Sequence, residues 1–214
     1  MADHASLIKR FISALLKLDT AQVAAMLGEL QAQGDGLASI EALVVPALER
    51  IGVDWEEGRL ALSQVYMAGK ICEDAVAGLL PGNAAHRPEQ PRLAIAVVQD
   101  HHALGKRIVS SALRAAGYDL LDYGHGLHPQ DLVEKARRDQ VDVLLVSCLM
   151  VSAALRIREV IAGLERAGSH TQVVVGGAPF RLDPLLWQEI GAQARGVNAT
   201  DAVGIVRRLS GGRP

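Results

Sequence analysis

Asp100 and His102 stand just beyond the apolar run Leu93-Ala94-Ile95-Ala96-Val97-Val98, and Gly105 follows three residues later. An imidazole at the exit of a buried strand can ligate a metal. A carboxylate two residues earlier can hold the other ring nitrogen, fixing the tautomer and raising basicity. Gly105 would let a bulky group approach the backbone closely. Two more motifs follow apolar runs: Ser147-Cys148-Leu149 after Val141-Asp142-Val143-Leu144-Leu145-Val146, and Gly176-Gly177 after Thr171-Gln172-Val173-Val174-Val175. A small hydroxyl and a glycine pair at neighbouring strand ends leave a deep slot with little side-chain filling, and His102 would stand at its mouth.

Each residue also has a plainer reading. Asp100 can cap the helix that follows, Ser147 can satisfy a buried backbone group, and the glycine pair can be a tight turn. His101, His125 and His128 lack the Asp-x-His spacing and read as loop residues. Cys148 has no histidine or other base placed to activate it, so it reads as a buried thiol. Arg156, Arg158, Glu159, Glu165 and Arg166 read as a solvated helix face.

The elements that must position these groups alternate. Short apolar runs fall at 93–98, 118–123, 141–147, 171–175 and 194–197, with helical segments at 104–116, 129–139, 153–167, 184–191 and 199–209. That alternation predicts a parallel sheet covered on both faces, whose ligands bind outside the carboxyl ends of the strands. Residues 4–80 show helical periodicity only. Leu7, Ile8, Phe11, Ile12, Leu15 and Leu16 form one stripe. Further helices are expected at 20–33 (capped by Thr20, stopped by Gly34), at 39–51 (ending near Gly52) and at 62–79. Between the two parts, residues 81–91 carry three prolines and no apolar period, as a linker does.

The 214 residues are half hydrophobic and 21% charged, with a formal net charge of −2. That balance argues against a nucleic-acid binder, which would carry a basic patch. No apolar stretch approaches the roughly 18 residues of a membrane span. Met1-Ala2-Asp3-His4 does not begin a signal peptide, and Cys72 and Cys148 do not suggest a disulfide framework, so a cytoplasmic protein is expected.

The trio Asp100-x-His102-x-x-Gly105, Ser147-x-Leu149 and Gly176-Gly177 resembles the cobalamin-binding domain of corrinoid methyltransferases and mutases. Gly176-Gly177-Ala178-Pro179 and Ile190-Gly191-Ala192 extend the likeness. Gly52-Val53-Asp54-Trp55-Glu56-Glu57-Gly58, followed by a helix, resembles the four-helix cap of methionine synthase and of small corrinoid proteins of methanol and methylamine metabolism. The resemblance covers nearly the whole chain. It implies an α/β protein with an N-terminal four-helix cap over 1–80, the linker 81–91, and a flavodoxin- or Rossmann-like domain over 92–214. That domain would be a doubly wound, five-stranded parallel sheet.

The same resemblance implies a cobalamin cofactor, methylcobalamin or another corrinoid, bound base-off with His102 as the lower ligand of cobalt. Its nucleotide tail would thread the slot that Ser147, Gly176 and Gly177 leave, Asp100 would orient His102, and Gly105 and Leu149 would complete the cofactor-binding set. Trp55 either belongs to the bundle core or covers the upper corrin face, with Tyr66 and Met67 beside it; His125 could line the corrin edge. Methionine synthase relatives carry a hydroxyl six residues after the serine, completing a relay through the aspartate. Here Ala153 stands there, beside Ser152 and Val151, so either Ser152 substitutes or the relay stops at Asp100. Related light sensors have Glu-His ten residues after the tryptophan, where this chain has Val65 and Tyr66.

The implied role is a methyl carrier serving a donor-specific methyltransferase and a methyl-acceptor methyltransferase. The motifs use essentially all of the chain, so it would be a non-catalytic component of an enzyme system. The alternatives are a cobalamin-binding sensor that transfers nothing, and an α/β domain holding a flavin or nucleotide. The last lacks a Gly-x-Gly-x-x-Gly loop after the first strand. No residue reports the methyl donor, the upper ligand or the oligomeric state.

Overall fold

The computed structural model describes residues 2–32, 36–79 and 90–210. The chain divides into two compact units, Met1–Leu80 and Pro81–Pro214. The expected linker, residues 81–91, lies outside the described residues but for its last two, as does Gly34.

The first unit holds α1 (Ala2–Leu16), α2 (Thr20–Ala32), α3 (Gly36–Glu56) and α4 (Leu62–Ala77). Phe11, Leu15, Leu27, Ile40, Leu43 and Ile51 are among its fully buried side chains, the apolar stripes having turned inward. Two sequence expectations need correction. Asp19, not Thr20, caps α2, its Oδ1 accepting from the Gln22 N–H at 2.9 Å. And α3 does not end at Gly52. It runs on to Glu56 and closes through Gly58, whose φ is +74°. A glycine tolerates a helix interior at a cost of about 1 kcal/mol, which the burial of Leu43, Ala47 and Ile51 on the preceding turns outweighs.

The second unit alternates β1 (Leu93–Val97), α5 (Leu104–Ala115), β2 (Leu120–Asp122), α6 (Pro129–Arg138), β3 (Val143–Ser147), α7 (Val151–Arg166), β4 (Gln172–Gly176), α8 (Ala178–Leu182), α9 (Leu186–Glu189), β5 (Ala194–Gly196) and α10 (Ala199–Ser210). All strands are parallel, in the order β2-β1-β3-β4-β5. The period of two along the strands sorts the side chains. Ala94, Ala96, Leu144, Val146, Val173 and Val175 pack with α6 and α7. Leu93, Ile95, Val143, Leu145 and Val174 pack with Leu113, Ile205 and Val206 of α5 and α10. The helix expected at 184–191 is the shorter α9, α8 was not expected at all, and α7 begins at Val151 rather than 153. Among the described residues no helix is long and apolar enough to cross a membrane.

This strand order places the topological switch point between β1 and β3, whose following helices lie on opposite faces. Register then aligns the strand ends. Val97 pairs with Ser147, Ser147 with Gly176, and Gly176 with Gly196.

Candidate cofactor site at the carboxyl edge of the sheet

Asp100 is 3% exposed and holds four hydrogen bonds. Its Oδ1 accepts from the His102 N–H at 3.0 Å and from His102 Nδ1 at 2.5 Å; its Oδ2 accepts from the Leu149 and Met150 N–H groups at 2.8 and 3.1 Å. Burial alone would push the carboxyl upward. The amide of Leu149, His102 and the amide of Met150 outweigh it and hold Asp100 below the usual carboxylate range. A carboxylate kept ionised here places the shared proton on His102 Nδ1, leaving Nε2 with a free lone pair. The His102 side chain is half exposed, and Nε2 has no hydrogen-bond partner among the described residues.

The relay question resolves at Asp100. Ser152 is exposed and Ala153 is buried at 2% exposure, and Asp100's Oδ2 takes two main-chain amides and no hydroxyl. Nor does Asp100 cap α5, whose N-cap is Ala103 without a side-chain bond.

The small residues divide by role. A Cβ on Gly105 would lie 2.9 Å from Ser147 Oγ, so glycine lets the start of α5 lie close to the end of β3. Gly177, at φ +115°, would set a Cβ 1.9 Å from the Cys148 carbonyl oxygen, so only glycine fits where the exit of β4 crosses that of β3. Gly176 faces Gly196, whose carbonyl would stand 3.2 Å from a Cβ there. Ser147, Gly176 and Gly196 stay half-buried, and Ser147 Oγ has no hydrogen-bond partner among the described residues. Leu149, Met150, Val151 and Leu155 add an exposed apolar stretch beside the Asp100 carboxylate.

Other expectations resolve as follows. Cys148 and Cys72 are buried, which pushes both thiols up to about 12, so neither is a ready nucleophile. His128 is the N-cap residue of α6 before Pro129. His101 and His125 are exposed and meet edge to face, with Nδ1 atoms 3.2 Å apart. Trp55 is 43% exposed on the last turn of α3, which rules out the core reading; Tyr66 and Met67 are exposed on α4. The helix end bearing Trp55 is held by Asp54, which pairs with Arg59 and Arg50 and is depressed chiefly by the Arg59 bond.

Sequence reading missed three residues: Gly196, Gln99 and Arg156. Arg156 is not a purely solvated charge, because its Nε donates to Gln99 Oε1 at 2.9 Å. Gln99 lies in the left-handed region at φ +44°.

This constellation defines a class: a flavodoxin-like domain with one free imidazole nitrogen at the switch point and a glycine-rich edge beside it. Among the described residues no group of three or more His, Cys, Asp or Glu side chains could hold a metal. A single unpartnered imidazole nitrogen beside a glycine-lined edge fits a group that brings its metal with most of its ligands already supplied.

Comparison with known proteins agrees. A family model described as a B12 binding domain matches residues 92–204, and a second of the same description matches residues 7–80. The chain belongs to the B12-binding corrinoid protein family, and its cofactor is a corrinoid. It is 30% identical over 217 residues to trimethylamine corrinoid protein 1 of Methanosarcina acetivorans, covering 98% of this chain and 99% of that one. The monomethylamine corrinoid protein of Methanosarcina barkeri shares the fold, with a TM-score of 0.80 at 23% identity over 96% of this chain and 99% of that one. The methanol:cobalamin methyltransferase complex of the same organism contains a chain with a TM-score of 0.53 at 21% identity, covering 97% of this chain and 81% of that one.

Proposed function

We propose that this protein carries a methyl group on a corrinoid between a donor-specific methyltransferase and a second methyltransferase that serves the acceptor. The bound corrinoid supplies cobalt, which takes a methyl group from one partner and yields it to the other. In this reading the corrinoid binds base-off with His102 Nε2 as its lower ligand. Asp100 fixes the imidazole through Nδ1 and keeps it electron-rich. Ser147, Gly176 and Gly177 shape the groove for the nucleotide tail, Gly105 lets α5 close beside it, and Leu149 gives the corrin an apolar contact. Trp55 is proposed to shield the upper face. The observation that carries the reading is the Asp100–His102 pair, with its unclaimed nitrogen at the glycine-lined edge. The relatives' names, each a corrinoid protein of a methylamine, favour a carrier over a sensor.

The test is reconstitution with methylcobalamin, followed by gel filtration and an absorption spectrum. The expected result is a retained corrinoid with the spectrum of nitrogen-ligated, base-off cobalamin. His102→Gly is expected to lose that nitrogen signature and most of the retained cofactor. An unchanged spectrum in the variant would remove His102 from the ligand role. Methyl transfer to an acceptor by a partner enzyme then separates carrier from sensor.

A further inference from the structure

Gln99 is not a glycine, yet its backbone sits at φ +44°, a conformation few non-glycine residues adopt. Such a conformation persists only where its surroundings over-determine it. Three ties do so. The Gln99 N–H donates to the Leu127 carbonyl at 3.0 Å. Its Nε2 lies 3.1 Å from His128 Nδ1 at the start of α6. Its Oε1 accepts from Arg156 Nε of α7 at 2.9 Å, and Arg156 is held in turn by Glu159 at 2.7 Å. One side chain thus joins the exit of β1 to the loop before α6 and to the second turn of α7.

The neighbouring bonds give this hub its meaning. Asp100, the next residue, depends on α7's approach for the Leu149 and Met150 amides that hold Oδ2, and its carbonyl accepts from the Gly126 N–H at 2.8 Å. A shift of α7 relative to β1 would withdraw those amides, turn the carboxylate and swing the imidazole it orients. Among the described residues the ring's one hydrogen bond is to Asp100, and half of the side chain faces solvent. Arg156–Gln99–His128 is the second strap across the same gap, on the outer side of the Asp100 bonds.

We infer that Gln99, through Arg156 and His128, is a positioning residue that sets the angle of the His102 imidazole for axial ligation. This rests on the corrinoid reading above. Gln99 touches neither His102 nor, in this reading, the cofactor; it acts through Asp100.

The experiment uses the full chain loaded with cob(II)alamin, read by electron paramagnetic resonance, in which an axial nitrogen splits the cobalt lines into triplets. Gln99→Gly keeps the backbone, since glycine adopts this φ freely, and removes both side-chain ties. The expected result is at least a fivefold fall in the ratio of nitrogen-ligated to unligated cobalt, with the thermal midpoint of the apo-protein little changed. Arg156→Gln, cut from the exposed end of the same strap, is expected to lower the ratio in the same direction. It decides the matter alone if Gln99→Gly folds poorly. Gln99→Glu keeps an acceptor for Arg156 and is expected to restore most of the ratio. Wild-type ratios in both Gln99→Gly and Arg156→Gln would overturn the inference. Absence of the nitrogen triplet in the wild-type protein would overturn the ligand assignment of His102, and this inference with it, before any variant was compared.

Discussion

At the scale of single residues, Ser147 and Asp100 make opposite demands. Asp100 spends its whole hydrogen-bonding capacity inside the protein, whereas Ser147 Oγ keeps its own unspent at the sheet edge. Ser147→Ala should therefore leave the apo-protein's urea midpoint within experimental error. It should weaken methylcobalamin binding by about fivefold, one hydrogen bond of about 1 kcal/mol, measured by titration of the absorption spectrum. A variant that lost stability instead would make Ser147 a structural residue. The dyad was legible because a strand-exit Asp-x-His sits within three residues of sequence. The amide pair on its Oδ2 was not, since main-chain donors 49 and 50 residues away leave no mark in side-chain spelling. Gln99 and Arg156 were hidden for the same reason: they are 57 residues apart, and a charged residue on a polar helix face spells solvation.

At the scale of elements, the ion pair of buried Lys106 on α5 and exposed Asp122 on β2 ties helix to strand. The lysine side chain is 7% exposed and the aspartate 41%. Removing the aspartate strands a buried cation, whereas removing the lysine leaves a carboxylate that water still reaches. Asp122→Asn should cost about 2 kcal/mol, and Lys106→Met less than half of that, by urea denaturation. Burial raises the Asp122 carboxyl, but Lys106 and the Gly124 amide together hold it below its ordinary value. A depressed carboxylate stabilises fully above its unfolded value and loses that contribution as pH falls through its folded value. The wild-type advantage over Asp122→Asn should thus be constant from pH 7 to about 5 and shrink below about pH 4. An advantage that grew on acidification would contradict the pairing. The strands were readable as buried apolar runs, and β1, β3 and β4 fall within one or two residues of their expected limits. The ends of helices were not. Gly52 looks like a stop but is carried inside α3 by burial of Leu43, Ala47 and Ile51, and the turn that does stop it is marked only by the φ of Gly58.

At the scale of the whole molecule, each unit has its own buried core, so a ligand held by groups of one unit stabilises that unit by mass action. Saturation at a hundred times Kd adds about 2.7 kcal/mol. Hydrogen exchange of the methylcobalamin-loaded chain should show new protection at residues 99–105, 147–151 and 176–178. Protection confined to other segments would count against the edge as the binding place. The sequence periods separated helical from alternating units because the first has no run of period two, but they carry no term for how far strand ends lie from one another. That distance has a meaning of its own. From β1 through β3 and β4 to β5 there are three inter-strand steps, each about 4.8 Å, so the aligned ends Val97, Ser147, Gly176 and Gly196 span about 14 Å. Beyond Val97 this line is glycine and main chain with a single hydroxyl, so it has almost nothing with which to read the chemical identity of whatever lies along it. The sheet is a ruler: what it measures is length.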